Sequence, residues 1–285
     1  MIVYVARNTA FPLSGGSVDS GIIAAKTLRK SNKSPTTNNY KLCAVIVEPR
    51  TINLVETIEN YLHILPDYTH FQVYHGTKNE AYLHNSSLSK HIESGKIELL
   101  NMGVENLTIS GYSKLFCSID FWDTIPSEKV LIFQTDSITC SQSPYDIEDF
   151  MVYDFIGAPY HTYINMGIRL LFLLKGWNTE GILFNGGLSL RSKSKSIEVL
   201  RQYPWDEKTP EDVWFCAFMP KVNATLPDLQ TAQKFAYESR SDFNYVPFGL
   251  HKPRRNKRSL ENYCPEHKKI PFLPSHTDYK TLYFV

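Results

Sequence analysis

Short apolar runs alternate with longer stretches of helical spacing along the first half of the chain. The runs fall at 2–6, 42–50 ("LCAVIVEPR"), 71–76 ("FQVYHG"), 96–102 ("KIELLNM") and 129–135 ("KVLIFQT"). β-Branched and aromatic residues dominate them and turn-forming residues bound them, which predicts strands. Between them, apolar residues recur at helical intervals in 17–30, 51–65, 78–94 and 110–125, which predicts helices. Such alternation means βαβ units and a mostly parallel sheet. The right-handed crossover then puts helices on both faces and gathers the strand C-termini at one edge.

Glu48 and Arg50, His75 and Gly76, and Gln134 to Ser137 share that edge. The run Val130 to Phe133 stops abruptly at Gln134, Thr135, Asp136 and Ser137. Asp and Ser favour turns through local hydrogen bonds, and the same edge is where open α/β sheets bind ligands. Both readings stand on this stretch alone. No GxGxxG or GxxxxGK[ST] follows any strand, which disfavours dinucleotide dehydrogenases and P-loop enzymes. Beyond residue 150 the pattern changes. Residues 153–160 and 182–192 read as strands, 209–220 opens a helix, and 243–253 leads into a polar tail. The expected organisation is one continuous α/β domain over 41–255, a strand–helix extension over 1–40, and a tail over 256–285.

At 285 residues the chain can bury a substantial core, and 42% hydrophobic with 21% charged residues is ordinary for a soluble protein. A net charge of +1 gives no general case for nucleic acid or membrane binding, the basic run "HKPRRNKR" (251–258) being a local exception. The five cysteines show no CxxC or zinc-like spacing and predict buried free thiols in a reducing compartment. The N-terminus lacks a basic segment before its apolar residues, so no signal peptide is expected. The apolar cluster "MGIRLLFLLKGW" is broken by Arg169 and Lys175 and is too short to span a bilayer. The expectation is a soluble, cytoplasmic protein.

Three stretches could carry chemistry. In "NGGLSLR", Asn185 and Gly186 form the strongest short hairpin signal, while Gly186 and Gly187 together would let a backbone approach a ligand closely. The residues by themselves favour the hairpin. In "TPEDVWF", Thr209 reads as an N-cap, Pro210 as the first helical residue, and Glu211 and Asp212 as first-turn acids. One of these acids could instead face a cleft as a general base. In "FGLHKP", His251 is an ordinary histidine unless a carboxylate lies near it, when the two would suit a divalent ion. The basic run starting beside it, at Lys252, is a solvated surface or a neutraliser of diphosphate.

Taken in order, "AVIVEPR", "YHGTKN", "FWDTI", "LIFQTDSITC", "YDFIGAPY", "NGGLSLRS", "PEDVWF" and "FGLHKP" resemble a family of largely uncharacterised glycosyltransferase-like domains from bacteria, fungi, algae and large DNA viruses. The resemblance runs from about residue 42 to about residue 255. That family is similar in turn to glycosyltransferases of the GT-A fold, including the Fringe-type β1,3-glycosyltransferases. The resemblance implies a Rossmann-like, mixed, mostly parallel sheet flanked by helices. It maps Asp136 onto the last Asp of a DxD motif, Gly186 and Gly187 onto a glycine loop, and His251 onto a late metal-binding histidine. Asp212 matches the catalytic acid of an acidic pair, with Glu211 as the fallback. Gln134 stands where the first Asp of DxD would be, and supplies no charge to a metal.

By the same resemblance, a nucleotide-sugar donor, UDP-linked by analogy, would lie against Val47, Glu48, Arg50, Gln134, Thr135, Asn185 and Lys252. Mn²⁺ or Mg²⁺ would sit at Asp136 and His251. An inverting transfer to a glycan, protein or lipid hydroxyl would use Asp212 as base. Two other readings are kept: a non-catalytic nucleotide-sugar or glycan-binding module, and a metal-dependent nucleotide-sugar hydrolase or nucleotidyltransferase.

Overall fold

A computed structural model describes residues 40–160, 162–177, 181–238, 246–253 and 264–270. The expected strand and helix within residues 1–39, the basic run beyond residue 253 and most of the polar tail lie outside them. The strands of the central sheet are β1 (Leu42–Val47), β2 (His70–His75), β3 (Ile97–Asn101), β4 (Lys129–Phe133), β6 (Phe155–Pro159) and β7 (Phe184–Ser192). Their order is β3–β2–β1–β4–β7–β6. β1 to β4 pair in parallel, and β7 runs antiparallel to both β4 and β6. The fold is therefore mixed α/β with a mostly parallel sheet, as expected. β1 is buried at all six positions, which is why its sequence is an unbroken apolar run: helices cover both faces of a parallel sheet.

The helices follow their apolar spacing. α1 (Leu54–Ile64) buries Leu54, Val55, Ile58 and Tyr61, and the Tyr61 ring stacks on Phe133 at 4.0 Å. The segment 78–94 forms two short helices, α2 (Glu80–His84) and α3 (Ser89–Glu93), rather than one. Ser86 lies between them, donating to the Leu83 carbonyl at 2.7 Å and accepting from the Leu88 amide at 3.2 Å. Such local side-chain bonds compete with the helix ladder. The segment 110–125 likewise splits into α4 (Ile109–Phe116) and α5 (Ile119–Thr124). There the Trp122 indole donates to the Phe116 carbonyl at 2.8 Å, satisfying an acceptor at the helix end. Most of the large aromatic side chains named by composition serve the core, with Trp122, Phe116, Phe121 and Phe155 fully buried. The remaining helices are α6 (Thr162–Leu174), α7 (Lys193–Gln202), α8 (Glu211–Phe218) and α9 (Leu229–Phe235).

A second sheet of three short strands covers the C-terminal edge of β4. Its order is β5 (Ser137–Thr139), β9 (Gly249–His251), β8 (Ala236–Glu238). The α1 residue Asn60 grips β5 as a neighbouring strand would. Its Oδ1 accepts from the Thr139 amide and hydroxyl, both at 2.8 Å, and its Nδ2 donates to the Thr139 carbonyl at 3.1 Å. A disulfide between Cys140 and Cys264 ties the end of β5 to residues 264–270. This corrects the reading of five free thiols: Cys43, Cys117 and Cys216 are free, but Cys140 and Cys264 are not. They are 124 residues apart in sequence, so no local spacing announces a pair whose Cα atoms the fold brings within 4.7 Å. Cysteine usage therefore no longer argues for a reducing compartment. Among the described residues, no helix is long and apolar enough to cross a membrane.

The turn into α8 is organised by Asp206 rather than by Thr209 as a cap. Asp206 Oδ1 accepts from the Thr209 amide (2.7 Å) and the Lys208 amide (3.1 Å). Its Oδ2 accepts from Lys175 (2.5 Å) and from the Thr209 hydroxyl (2.8 Å). The helix itself starts at Glu211, after Pro210. Burial by itself would raise the Asp206 carboxyl, but these donors outweigh it and hold the group well below its ordinary range. A depressed carboxyl contributes stability above its unfolded pKa of about 3.9, and that contribution is lost as pH falls. Replacing Asp206 with Asn should cost about 1–2 kcal/mol at pH 7. In denaturant titrations the gap to the wild type should shrink steadily below about pH 4, whereas a gap independent of pH would mean that packing, not charge, holds the turn.

Candidate functional site

The chain leaves β1, winds outward to β3 and returns on the other side of β1 as β4. Such a reversal, here between the C-terminal ends of β1 and β4, is where open α/β sheets take their ligands. Val45 pairs with Ile132, so Val47 to Arg50 and Gln134 to Asp136 leave the sheet side by side. Val47 itself is buried at the strand end. The buried Glu48 carboxylate accepts from Arg50 Nε at 2.7 Å and Nη2 at 2.9 Å, holding a guanidinium that is 42% exposed. Asn79 fixes this corner by donating to the carbonyls of Glu48 (2.9 Å) and Arg50 (3.0 Å) and accepting from the Gly76 amide (2.8 Å).

Asp136 sits in a tight turn between β4 and β5. The Ser137 amide and hydroxyl both donate to the Gln134 carbonyl, at 3.0 and 2.7 Å, and Tyr61 meets the same hydroxyl at 2.7 Å. Thr57 reaches the Thr135 carbonyl at 3.4 Å, and the amide of Lys252, in left-handed conformation (φ 50°), donates to the Asp136 carbonyl at 2.8 Å. His251 is brought here by register, paired with Ser137 across β5–β9 and with Glu238 across β8–β9. Its Nε2 lies 3.2 Å from Asp136 Oδ1 and 3.3 Å from Gln134 Oε1, and its Nδ1 lies 2.5 Å from Glu238 Oε2. The imidazole is fully buried. Burial would lower its pKa, but the Glu238 and Asp136 carboxylates outweigh burial and push it up to about 9.

Asn185, Gly186 and Gly187 do not form the hairpin turn that the dipeptide favours. They lie inside β7, where the register with β6 jumps from Gly157–Ser189 to Ala158–Asn185. The Asn185 side chain accepts from the Gly187 amide at 2.7 Å and shapes the bulge. A Cβ on Gly186 would stand 2.3 Å from Glu211 Oε1, and one on Gly187 would stand 2.2 Å from His251 Nε2 and 2.6 Å from Gln134 Oε1. The glycines are needed for close approach of neighbouring groups, not for a turn.

On the other side of the bulge lies the acidic pair. Its two members have different surroundings. Glu211 is buried and clasped by the fully buried Arg191, Nη1 to Oε2 at 2.6 Å and Nη2 to Oε1 at 3.1 Å. Burial would lower the Arg191 pKa, but Glu211 reverses that and raises it. The rings of Phe155 and Phe215 lie 4.9 and 5.2 Å from the guanidinium carbon. Asp212 is half-buried instead. Its Oδ2 accepts from the Tyr160 hydroxyl at 2.5 Å and the Gly186 amide at 3.1 Å, and its Oδ1 from the Val213 amide at 2.8 Å. An ionised carboxylate offers about four acceptor positions, so one direction remains for a further donor among the described residues. Burial, then Asp212, hold the Tyr160 hydroxyl well above its ordinary range, so it stays a donor.

The residues around His251 fit a divalent ion in part. One carboxylate, one imidazole and one amide oxygen converge, and neighbouring ligands of an ion bound at about 2.1 Å stand about 3 Å apart, close to the separations here. No group of three His, Cys, Asp or Glu side chains with metal-site geometry occurs among the described residues. Other oxygens would have to come from a bound anion and water. Sequence reasoning missed Glu238, Tyr160 and Arg191. Tyr160 and Arg191 stand inside quoted motifs, but nothing in "FAYESR" marks Glu238.

Fold and side chains together define a mixed α/β protein with a topological switch point between β1 and β4 and two carboxylate clusters beside it. The chain belongs to the family described as Protein of unknown function (DUF5672), which it matches over residues 96–251. No curated protein matches it in sequence. Among solved structures it is similar to WbbM, a bifunctional glycosyltransferase in its apo form, at 10% identity and TM-score 0.49, over 87% of this chain but 52% of that one. It is also similar to the galactosyltransferase LgtC in complex with donor and acceptor sugar analogs, at 13% identity and TM-score 0.48, over 74% of this chain and 86% of that one. A third is the mannosyltransferase PcManGT from Pyrobaculum calidifontis in complex with GDP-Man and Mn²⁺, at 13% identity and TM-score 0.42, over 74% and 65%. Likenesses this distant assign no residue a role.

The unequal surroundings of the acidic pair are measurable. Glu211→Gln leaves Arg191 buried without its counter-charge and should cost about 3–5 kcal/mol. Asp212→Asn keeps most of its donors and should cost about 1 kcal/mol or less. Urea unfolding of the two variants checks this, and equal losses would contradict the assignment of Glu211 to the core.

Proposed function

We propose that the protein is a glycosyltransferase that moves a sugar from a nucleotide-sugar donor to an acceptor hydroxyl with inversion. The observation that carries this reading is the half-buried Asp212, oriented by Tyr160 and Gly186 and separated from the Asp136–His251 cluster by two glycines. Nucleotide and sugar would lie at Val47, Glu48 and Arg50 and along Gln134, Thr135, Asn185 and the glycines, with Lys252 near the diphosphate. UDP is the preferred nucleotide by the family resemblance. The acceptor oxygen attacks the sugar C1, the bond from C1 to the phosphate oxygen breaks, and its electron pair leaves with the diphosphate. Asp212 takes the acceptor's proton. Glu211, committed to Arg191, supports the helix start that holds Asp212.

Asp136 and His251 would hold Mn²⁺ or Mg²⁺, with Gln134 contributing through its amide oxygen or a bound water. Such an ion, when bound, neutralises charge developing on the departing diphosphate. Gln134 adds no charge, so this chain offers the ion one carboxylate and relies on the diphosphate for the rest. The acceptor, whether glycan, protein or lipid, would approach from the Asp212 and Tyr160 side.

Two measurements test the reading. In a thermal-shift panel of UDP, GDP and dTDP sugars with and without Mn²⁺, one nucleotide class at 100 times its Kd should add about 2.7 kcal/mol, moving the melting point by several degrees. Asp136→Ala should abolish the metal-dependent part. In transfer assays Asp212→Asn should lower turnover by about 10²- to 10⁴-fold while donor stabilisation persists. Donor stabilisation with no transfer by the wild type, unchanged in Asp212→Asn, would favour a binding module, and rapid donor consumption without acceptor would favour a hydrolase.

A further inference from the structure

We propose that Glu238 is a positioning residue that turns His251 into a metal ligand, by accepting a hydrogen bond from the Nδ1–H and so leaving Nε2 to face the ion. The inference rests on the metal site of the proposed transferase and concerns a residue that neither the motifs nor the resemblance include. Glu238 stands directly beside His251 in the β8–β9 ladder, with its carboxylate 2.5 Å from Nδ1. The carboxylate is itself 6% exposed, and the histidine is fully buried. A carboxylate in that position accepts and does not donate when ionised, so the Nδ1 nitrogen must carry its proton. The remaining nitrogen then points at Asp136 Oδ1 and Gln134 Oε1, 3.2 and 3.3 Å away.

This is the arrangement by which metal-bound histidines are held. The outward nitrogen donates to a carboxylate, which fixes the tautomer and ring orientation and makes the inner nitrogen a better electron donor. A surface acid could not do this, because water would compete for the bond. Within the described residues β8 spans Ala236–Glu238. Its chemical contribution is the one buried carboxylate it delivers. Gly187 completes the geometry from the other side, since a Cβ there would stand 2.2 Å from Nε2 and block that face of the ring. Asp136 Oδ1 and Gln134 Oε1 both lie within 3.3 Å of Nε2.

A purely structural Glu238–His251 pair would stabilise the small sheet and leave metal affinity unchanged, which separates the two roles. Binding of Mn²⁺ alone is read from the electron paramagnetic resonance signal of the free ion. Its position is read from paramagnetic broadening of the His251 imidazole resonances in ¹⁵N-histidine-labelled protein. The wild type should bind Mn²⁺ with broadening at His251. Glu238→Gln should weaken that binding by about 10- to 100-fold, and Glu238→Asp should recover part of it. Nitrogen shifts of the wild type loaded with diamagnetic Mg²⁺ should show Nδ1 protonated and Nε2 without a proton, a reading that stands even if the variants fail to fold. Unchanged Mn²⁺ affinity in folded Glu238→Gln, or a proton on Nε2 in the loaded protein, would overturn the role of Glu238 and leave the transferase reading intact. Absence of Mn²⁺ binding at His251 in the wild type, with or without UDP, would overturn the metal site and this inference together.

Discussion

Two consecutive residues without side chains, Gly186 and Gly187, are the constraint on which the candidate site depends. One lets the start of α8 press against β7, and the other lets His251 and Gln134 do the same from the opposite side. A Cβ at either position would fall 2.2–2.3 Å from a charged or ring atom of its neighbour. Real side chains do not approach that closely, so the carboxylate of Asp212 and the imidazole of His251 reach the same stretch of backbone only because it carries no Cβ. The bulge in β7 follows from the same requirement. It displaces these residues from a regular ladder with β6 and turns the Gly186 amide onto Asp212.

The groups on either side of that bulge are expensive to bury. Arg191 with Glu211, and His251 with Glu238 and Asp136, take ionised groups out of water, and the mutual attraction of such pairs roughly offsets their desolvation. Their value to the molecule is orientation more than stability. The Arg191–Glu211 clasp fixes the first turn of α8, and thereby Asp212, against a wall of phenylalanine rings. The small sheet faces a different problem. Three strands of three residues each cannot persist alone. Asn60 pairing with Thr139, Tyr61 with Ser137, and the Cys140–Cys264 disulfide hold it against the main domain. The turn bearing Asp136 is held by the same contacts.

The central sheet was legible in the chain because buried parallel strands need unbroken apolar runs, and β1 to β4 have them. The helices were legible in type but not in continuity. Ser86 and the Trp122 indole break two of them through hydrogen bonds that apolar spacing does not encode. Asp136, His251, Gly186, Gly187 and the acidic pair are each ordinary residue types at their own positions, and were legible as candidates only through the order in which their motifs follow one another along the chain. The role of the glycines was misjudged by local reasoning, since Asn-Gly favours a turn in isolation and here serves close packing between distant segments.

The sequence by itself determined the alternation of strand and helix, and so the edge at which the strand C-termini gather. It also determined a short roster of residues capable of the chemistry. Only the tertiary structure decided which of them meet. Glu211 and Asp212 are adjacent in the chain, yet one is sealed against Arg191 and the other is half-buried beside Tyr160 and Gly186. Glu238, unremarked in sequence, becomes the partner of His251 across a strand ladder. Cys140 finds Cys264 across the rest of the domain. The physical reason is the same in each case. Apolar periodicity is a local property of the chain, whereas the pairing of buried polar groups is settled by which distant segments the core brings into contact, where an unpartnered charge cannot stay.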